Sequence, residues 1–208
     1  MSRALLLVDI QNDFLPGGAL AVADGDAIVP IVNRLMPGFD YVVASQDWHP
    51  ADHGSFAVHH PGFEAFQIGE LDGLAQILWP VHCVQNSPGA GFASALDIAA
   101  IDHVVRKGTN ARIDSYSAFY DNNHRQATGL ADHLRTIAVD SLFVCGLAAD
   151  VCVKFTVLDA LAEGFDTTLI VDATRGVDMV AGDTDAAITA MRQAGAHVLD
   201  SAALLESG

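Results

Sequence analysis

Near the middle of the second half the chain reads CGLAADVCVKF, Cys145 to Phe155, with two cysteines seven residues apart. A small buried hydrophobe is the ordinary role of an intracellular cysteine. Cys145 fits it, because it lies inside an apolar run that reads as a strand. Cys152 is different. It falls in the first turn of a predicted helix, where unpaired N–H groups and the helix dipole favour a thiolate. The GLAAD turn before it is suited to aim backbone N–H groups at an oxyanion. Asp9 closes the apolar run ALLLV. It is either a cap for the turn that follows or a general base. Lys107 ends another apolar run, so it must find a partner or snorkel to water. As a set, Cys152, Asp9 and Lys107 supply a nucleophile, a base and a cation that lowers the thiol pKa and fixes the carboxylate.

A second group is rich in histidine. Five of the nine histidines fall between 49 and 82. Asp47 and His49, one residue apart, suit Zn²⁺, Mn²⁺ or Fe²⁺, and His82 would close a three-ligand site with open positions. Cys83 adjoins His82 and reads as core, since neighbouring residues seldom face one metal. His59 and His60 read as solvated loop residues.

These side chains need elements to place them. ALLLV (4–8), YVVAS (41–45), HVVR (103–106), SLFVC (141–145), TTLIV (167–171) and HVL (197–199) read as strands, and continuous apolarity implies that both faces are covered. Helical patterns cover 26–36, about 122–136, 151–163 and 183–194. In the third, Val151, Phe155, Leu158 and Ala162 form the apolar stripe, Asp150 is the N-cap and Gly164 the stop. Alternating β and α elements predict one α/β domain over 1–208, a doubly wound, six-stranded, mostly parallel sheet flanked by helices. Such sheets bind ligands beyond the carboxyl ends of their strands. Asp9, Asp47 with His49, Lys107 and Cys152 each follow a predicted strand. Residues 47–92 form a long irregular excursion rich in His, Pro and Gly, the usual sign of a functional loop.

Composition excludes several classes. The formal net charge is −16, with two lysines and eight arginines, which argues against a nucleic-acid partner or an anionic membrane surface. No stretch approaches the ~20 apolar residues of a membrane span. Three cysteines without a framework do not describe a secreted disulfide scaffold. These features predict a cytoplasmic protein.

The motifs LLLVDIQNDFLPGGAL, SQDWHP with HGSF, WPVHCVQNSPGA, RKGTNARIDSYSAFYDN and CGLAADVCVKFTVLDA run in order along nearly the whole chain. In them the chain resembles the bacterial nicotinamidases of the pyrazinamidase type, cysteine hydrolases with the isochorismatase-like fold. The resemblance implies hydrolysis of nicotinamide to nicotinate and ammonia in NAD salvage, with pyrazinamide as a further substrate. It implies a triad of Asp9, Lys107 and Cys152, with the N–H groups of Ala148 and Cys152 facing the oxyanion and a cis peptide at Leu147–Ala148. It implies one divalent metal, zinc first and manganese or iron as alternatives, on Asp47, His49 and His82, with His53 or Ser55 as further candidates. That metal would anchor the pyridine nitrogen, inside a pocket of Phe14, Trp79 and Tyr116. Three rival readings compete: a related metal-assisted cysteine amidase for another small amide, a hydrolase in which zinc-bound water attacks, and a binding module without turnover.

Overall fold

The computed structural model describes residues 2–205. Strand β1 (Ser2–Val8) lies at the middle of the sheet and alternates its side chains between two cores. Leu5 and Leu7 enter one, and Ala4, Leu6 and Val8 the other. This is why the run is apolar at every position rather than at every second one. Each of these leucines is at most 1% exposed, so each contributes ~1.5–3 kcal/mol of transfer free energy.

β2 (Tyr41–Asp47) and β5 (His103–Lys107) extend the sheet on one side of β1. β6 (Val139–Leu147), β7 (Asp166–Arg175) and β8 (His197–Leu199) extend it on the other. The order is β5-β2-β1-β6-β7-β8 and every pairing is parallel. The strand order reverses between β1 and β6. A crevice at such a reversal is where open α/β sheets hold their ligands. Val8 pairs with Gly146 there. Gly146 has φ +122°, and a Cβ on it would lie 2.1 Å from the Val8 carbonyl oxygen. Glycine therefore lets the two strand ends stay close where Asp9 and the Cys152 turn emerge.

The six expected strands are all present, but the connections depart from expectation in four places. The helix expected over 122–136 is α2 (Leu130–Thr136) alone. Before it, Asp121 Oδ1 accepts the N–H groups of Arg125 and Gln126, and Asn123 and His124 take positive φ. Side-chain bonds to the backbone replace the helix ladder there. The excursion holds a hairpin, β3 (Ile68–Leu71) with β4 (Leu74–Ile77), in place of wholly irregular chain. α1 (Val29–Leu35) is flanked by short 3₁₀ turns, and α4 (Asp183–Gln193) and α5 (Ser201–Leu205) close the chain.

The fourth departure concerns the helix after Cys152. A π-turn, Ala149–Val153, precedes α3 (Lys154–Ala162). The extra residue in the turn rotates the buried stripe to Val153, Thr156, Val157 and Ala160, while Phe155 is 40% exposed and Ala162 faces solvent. Asp150 does not cap α3. Gly164 ends it as expected: its N–H bonds Leu161 O, and the Phe165 N–H bonds Ala160 O. Among the described residues, no helix is long and apolar enough to cross a membrane.

Candidate active site

Lys107 organises the strand ends. It leaves β5 at the edge of the sheet, and its side chain, fully buried, crosses the end of β2 toward β1. Its Nζ lies 2.9 Å from Asp9 Oδ2 and 2.7 Å from Asp47 Oδ1. It also donates to the Ser115 carbonyl at 2.9 Å and reaches Cys152 Sγ at 3.5 Å. The three predicted triad residues therefore meet.

The charges in this cluster set one another. Burial would lower the Lys107 pKa, but Asp47, Asp9 and Cys152 outweigh it and hold the ammonium well above its usual range. Burial would raise Asp47, but Lys107 and His49 outweigh it and hold the carboxylate well below its usual range. Asp9 moves the other way. Burial lifts its carboxyl, Lys107 opposes, and Asp47 adds to the lift. A raised carboxyl is the stronger base once ionised. Ser45 Oγ donates to Asp9 Oδ1 at 2.7 Å, which leaves Oδ2 with the ion pair to Lys107 and no directed hydrogen bond from a described residue.

At Cys152 the surroundings oppose the lowered thiol pKa that the sequence implies. Burial pushes its pKa well above the ordinary value, Lys107 opposes, and Asp9 and Asp47 reinforce the rise. Two carboxylates and a dry site outweigh one ammonium and favour the thiol over the thiolate. Cys83 and Cys145 are buried core residues as expected, and burial raises both thiols. All three cysteines are free.

The metal candidates also converge. His49 Nδ1 lies 2.9 Å from the Gly108 carbonyl, and His82 Nδ1 lies 2.8 Å from the Pro80 carbonyl. A carbonyl only accepts, so each Nδ1 donates, which leaves each Nε2 as the atom free to bind a metal. Both Nε2 atoms face Asp47 Oδ2, at 3.3 and 3.7 Å. Three buried acceptors aimed at one point, each oriented from behind, fit a divalent cation. Asp47 is shared: Oδ2 serves this cluster and Oδ1 serves Lys107. His53 packs on His49 with ring centroids 4.3 Å apart, and its Nε2 is buried without a hydrogen-bond partner. Burial and His49 lower its pKa to about 4, which favours the neutral ring. Ser55 Oγ pairs with His53 Nδ1 at 2.7 Å. His59 is exposed, but His60 is half-buried and bonds the Gly54 carbonyl, contrary to the solvated role expected of both.

Between the two clusters opens a cleft of about 370 Å³. Phe14, Trp79 and Tyr116, the three expected aromatic residues, line it, with Cys152, Asp47 and His82 at its floor. The Leu147–Ala148 peptide is cis, and Ala148 borders the cleft. Sequence reasoning missed the supports. Gln11 clamps Asp47 through both backbone groups, accepting its N–H at 2.8 Å and donating to its carbonyl at 2.9 Å. Asp13 accepts the Cys83 N–H at 2.7 Å beside His82. Both lie in QNDF, where a polar run directly after a buried strand was the available signal. Ser45, Ser115 and Val177 had none.

Comparison with known proteins identifies the family. The isochorismatase domain model matches residues 3–203. Escherichia coli (strain K12) nicotinamidase is 54% identical over 198 residues, 93% of this chain and 92% of that protein. A solved structure described as an Acinetobacter baumanii nicotinamidase/pyrazinamidase superposes with TM-score 0.94 at 45% identity, covering 98% of each chain. The pyrazinamidase of Pyrococcus horikoshii, solved in complex with zinc, superposes with TM-score 0.79 at 36% identity over 96% of this chain and 99% of that one. The chain belongs to the isochorismatase family, within its nicotinamidase group.

Proposed function

We propose that the chain is a nicotinamidase, hydrolysing the carboxamide of nicotinamide to nicotinate and ammonia in NAD salvage, and that pyrazinamide is a further substrate. The observation that carries this reading is the buried Lys107 ammonium. It joins Asp9 and Cys152 on one side to Asp47, and through it His49 and His82, on the other, at the floor of an aromatic cleft. The nicotinamidases similar to the chain support the substrate.

In the proposed reaction Asp9 Oδ2 takes the Cys152 proton as the sulfur attacks the carboxamide carbon. Removal of the proton and attack are coupled, because burial and the neighbouring carboxylates disfavour a free thiolate. The carbonyl oxygen becomes an oxyanion facing the N–H groups of Ala148 and Cys152, where loss of one such donor costs ~3–4 kcal/mol. Asp9 returns the proton to the amide nitrogen, the C–N bond breaks, ammonia leaves and a thioester remains on Cys152. Asp9 then takes a proton from water as the water oxygen attacks the thioester; the C–S bond breaks, nicotinate leaves, and Asp9 passes the proton to the sulfur to restore the thiol and its own carboxylate. Lys107 stays protonated throughout and holds Asp9 in place. Phe14, Trp79 and Tyr116 hold the ring.

Asp47, His49 and His82 would hold a divalent ion, zinc by the likeness to the zinc-bound pyrazinamidase, with manganese or iron as alternatives and His53 as a further donor. Such an ion supplies a Lewis-acid anchor for the ring nitrogen. Three free cysteines suit a reducing compartment, and we place the protein in the cytoplasm.

Ammonia release from nicotinamide, on wild type and Cys152→Ala together, tests the reading. Wild type should turn over and Cys152→Ala should not, while still binding nicotinate. Equal release by both would move the attack to a metal-bound water.

A further inference from the structure

Asp150, two residues before Cys152, faces away from α3 and toward the chain that leaves β7. Its Oδ1 accepts the Val177 N–H at 2.9 Å, and its Oδ2 accepts the Asp178 N–H at 2.8 Å. Both carboxylate oxygens are thus committed to one loop, residues 176–182. Val177 lines the aromatic cleft beside Val151 and Cys152. Beyond it lies a second groove of about 740 Å³, bordered by Asp150, Met179 and Phe155. Val151 and Tyr116 line both spaces, so the partition between cleft and groove is one layer of side chains thick.

The loop is held from its other end as well. Asp178 Oδ1 accepts the Thr184 N–H at 2.8 Å, and Asp183 Oδ2 accepts the Val180 N–H at 2.9 Å. Gly176 makes the close approach possible: a Cβ there would stand 1.8 Å from Thr184 Oγ1 and 3.2 Å from Asp150 Cγ. Without the Asp150 carboxylate, two consecutive N–H groups would lose their acceptors, and the Val177 wall would lose its fixed distance from the nucleophile turn.

We propose that Asp150 is a positioning residue that sets specificity. By holding the backbone of Val177 and Asp178, it fixes the Val177 wall against the substrate ring and restricts the cleft to an unsubstituted six-membered aromatic carboxamide. Asp150 acts through Val177. The inference rests on the nicotinamidase reading for its substrate. An asparagine in its place keeps one acceptor but sets an NH₂ against the other N–H, so it breaks half of the clamp.

The test compares ammonia release from nicotinamide and from a ring-methylated nicotinamide, with zinc-loaded wild type, Asp150→Asn, Asp150→Ala and Val177→Ala. Wild type should prefer nicotinamide by ~10–200-fold, the range one methyl group is worth in a shaped apolar pocket. Asp150→Ala should raise KM for nicotinamide ~10-fold, leave kcat within about threefold, and shrink the preference ~10-fold, with Asp150→Asn between. Val177→Ala should shrink the preference with the clamp intact. A folded Asp150→Ala that keeps the wild-type preference, or that loses kcat alone, overturns the proposal. So does a wild type without preference. If Asp150→Ala does not fold, Asp150→Asn and Val177→Ala decide, and an unchanged preference in both overturns it. Wild type that releases no ammonia sinks the nicotinamidase reading instead. The clamp is then read from calorimetric binding of nicotinate and its ring-methyl derivative, with the same loss of preference expected.

Discussion

Gly108→Ala tests whether the proposed metal ligands are held from behind by backbone. Gly108 has φ +65°, a conformation that costs an L-residue ~1–2 kcal/mol. A Cβ there would lie 2.4 Å from His49 Cε1, 2.6 Å from its Nδ1 and 3.3 Å from Asp47 Oδ1. Ordinary van der Waals contact begins near 3.4 Å, so the ring must retreat by about 1 Å. It has nowhere to go, because His49 is 1% exposed and packs on His53, Phe56 and His82. Overpacking of this kind costs a further ~1–3 kcal/mol. The variant should therefore lose ~2–5 kcal/mol, which is a fall of ~4–20 °C in Tm for a chain of this size. Displacing His49 while stressing its bond to the Gly108 carbonyl should weaken metal binding ~10–100-fold. Chelator-competition titration with zinc reads the affinity and thermal melting reads the stability. Gly38→Ala is the control, since nothing lies within 4 Å of its Cβ position. A Gly108→Ala protein with wild-type zinc affinity would refute the placement of His49 in the metal cluster, and one that also melts normally would refute the packing argument.

Three further outcomes follow from the charges. Lys107→Met strands Asp9 and Asp47 without their shared cation and should cost ~3–5 kcal/mol near neutral pH, read by urea unfolding; a loss below ~1 kcal/mol would show that the pairs do not bear on stability. Asp9→Asn removes a charge that raises the Cys152 pKa, so alkylation of Cys152 by iodoacetamide at pH ~7 should quicken while turnover falls ~10²–10⁴-fold. Slower alkylation together with the lost turnover would mean that Asp9 generates a resident thiolate. Burial and the stacked His133 ring lower the His103 pKa, so the folded state resists its protonation. This group therefore erodes stability as pH falls through the unfolded value of ~6.5, and His103→Gln should flatten the decline of Tm just below that pH.

The sheet was legible because β1 is buried on both faces and so is written as an unbroken apolar run, with Asp9 marking its end. The same logic located Asp47, Lys107 and Cys152, since polar residues that end core strands stand out. It failed where local side-chain bonds shape the chain. Asp121 holds residues 122–126 out of helix, and no apolar period records that. It failed again at the π-turn, whose one-residue insertion leaves composition untouched but moves Phe155 from the expected core face to the surface. Gln11 and Asp13 could have been found as polar residues following a core strand. Val177 could not, because an isolated valine carries no sign of the wall it forms.

Protonation was the least legible property, for a physical reason. Residue types fix which groups can exchange a proton, but the pKa of each depends on distances and dryness that only the fold supplies. A lysine beside a cysteine suggests a thiolate. Here the same lysine also holds two carboxylates, at 2.9 and 2.7 Å, against 3.5 Å to the sulfur. Its charge is mostly committed to them, and in a dry site their negative charge reaches the sulfur as well. The cluster therefore favours the thiol form of Cys152 and raises the Asp9 carboxyl. In the proposed mechanism Cys152 is then protected while no substrate is bound, and its activation depends on Asp9. This is why turnover and thiol reactivity should move in opposite directions when Asp9 is replaced.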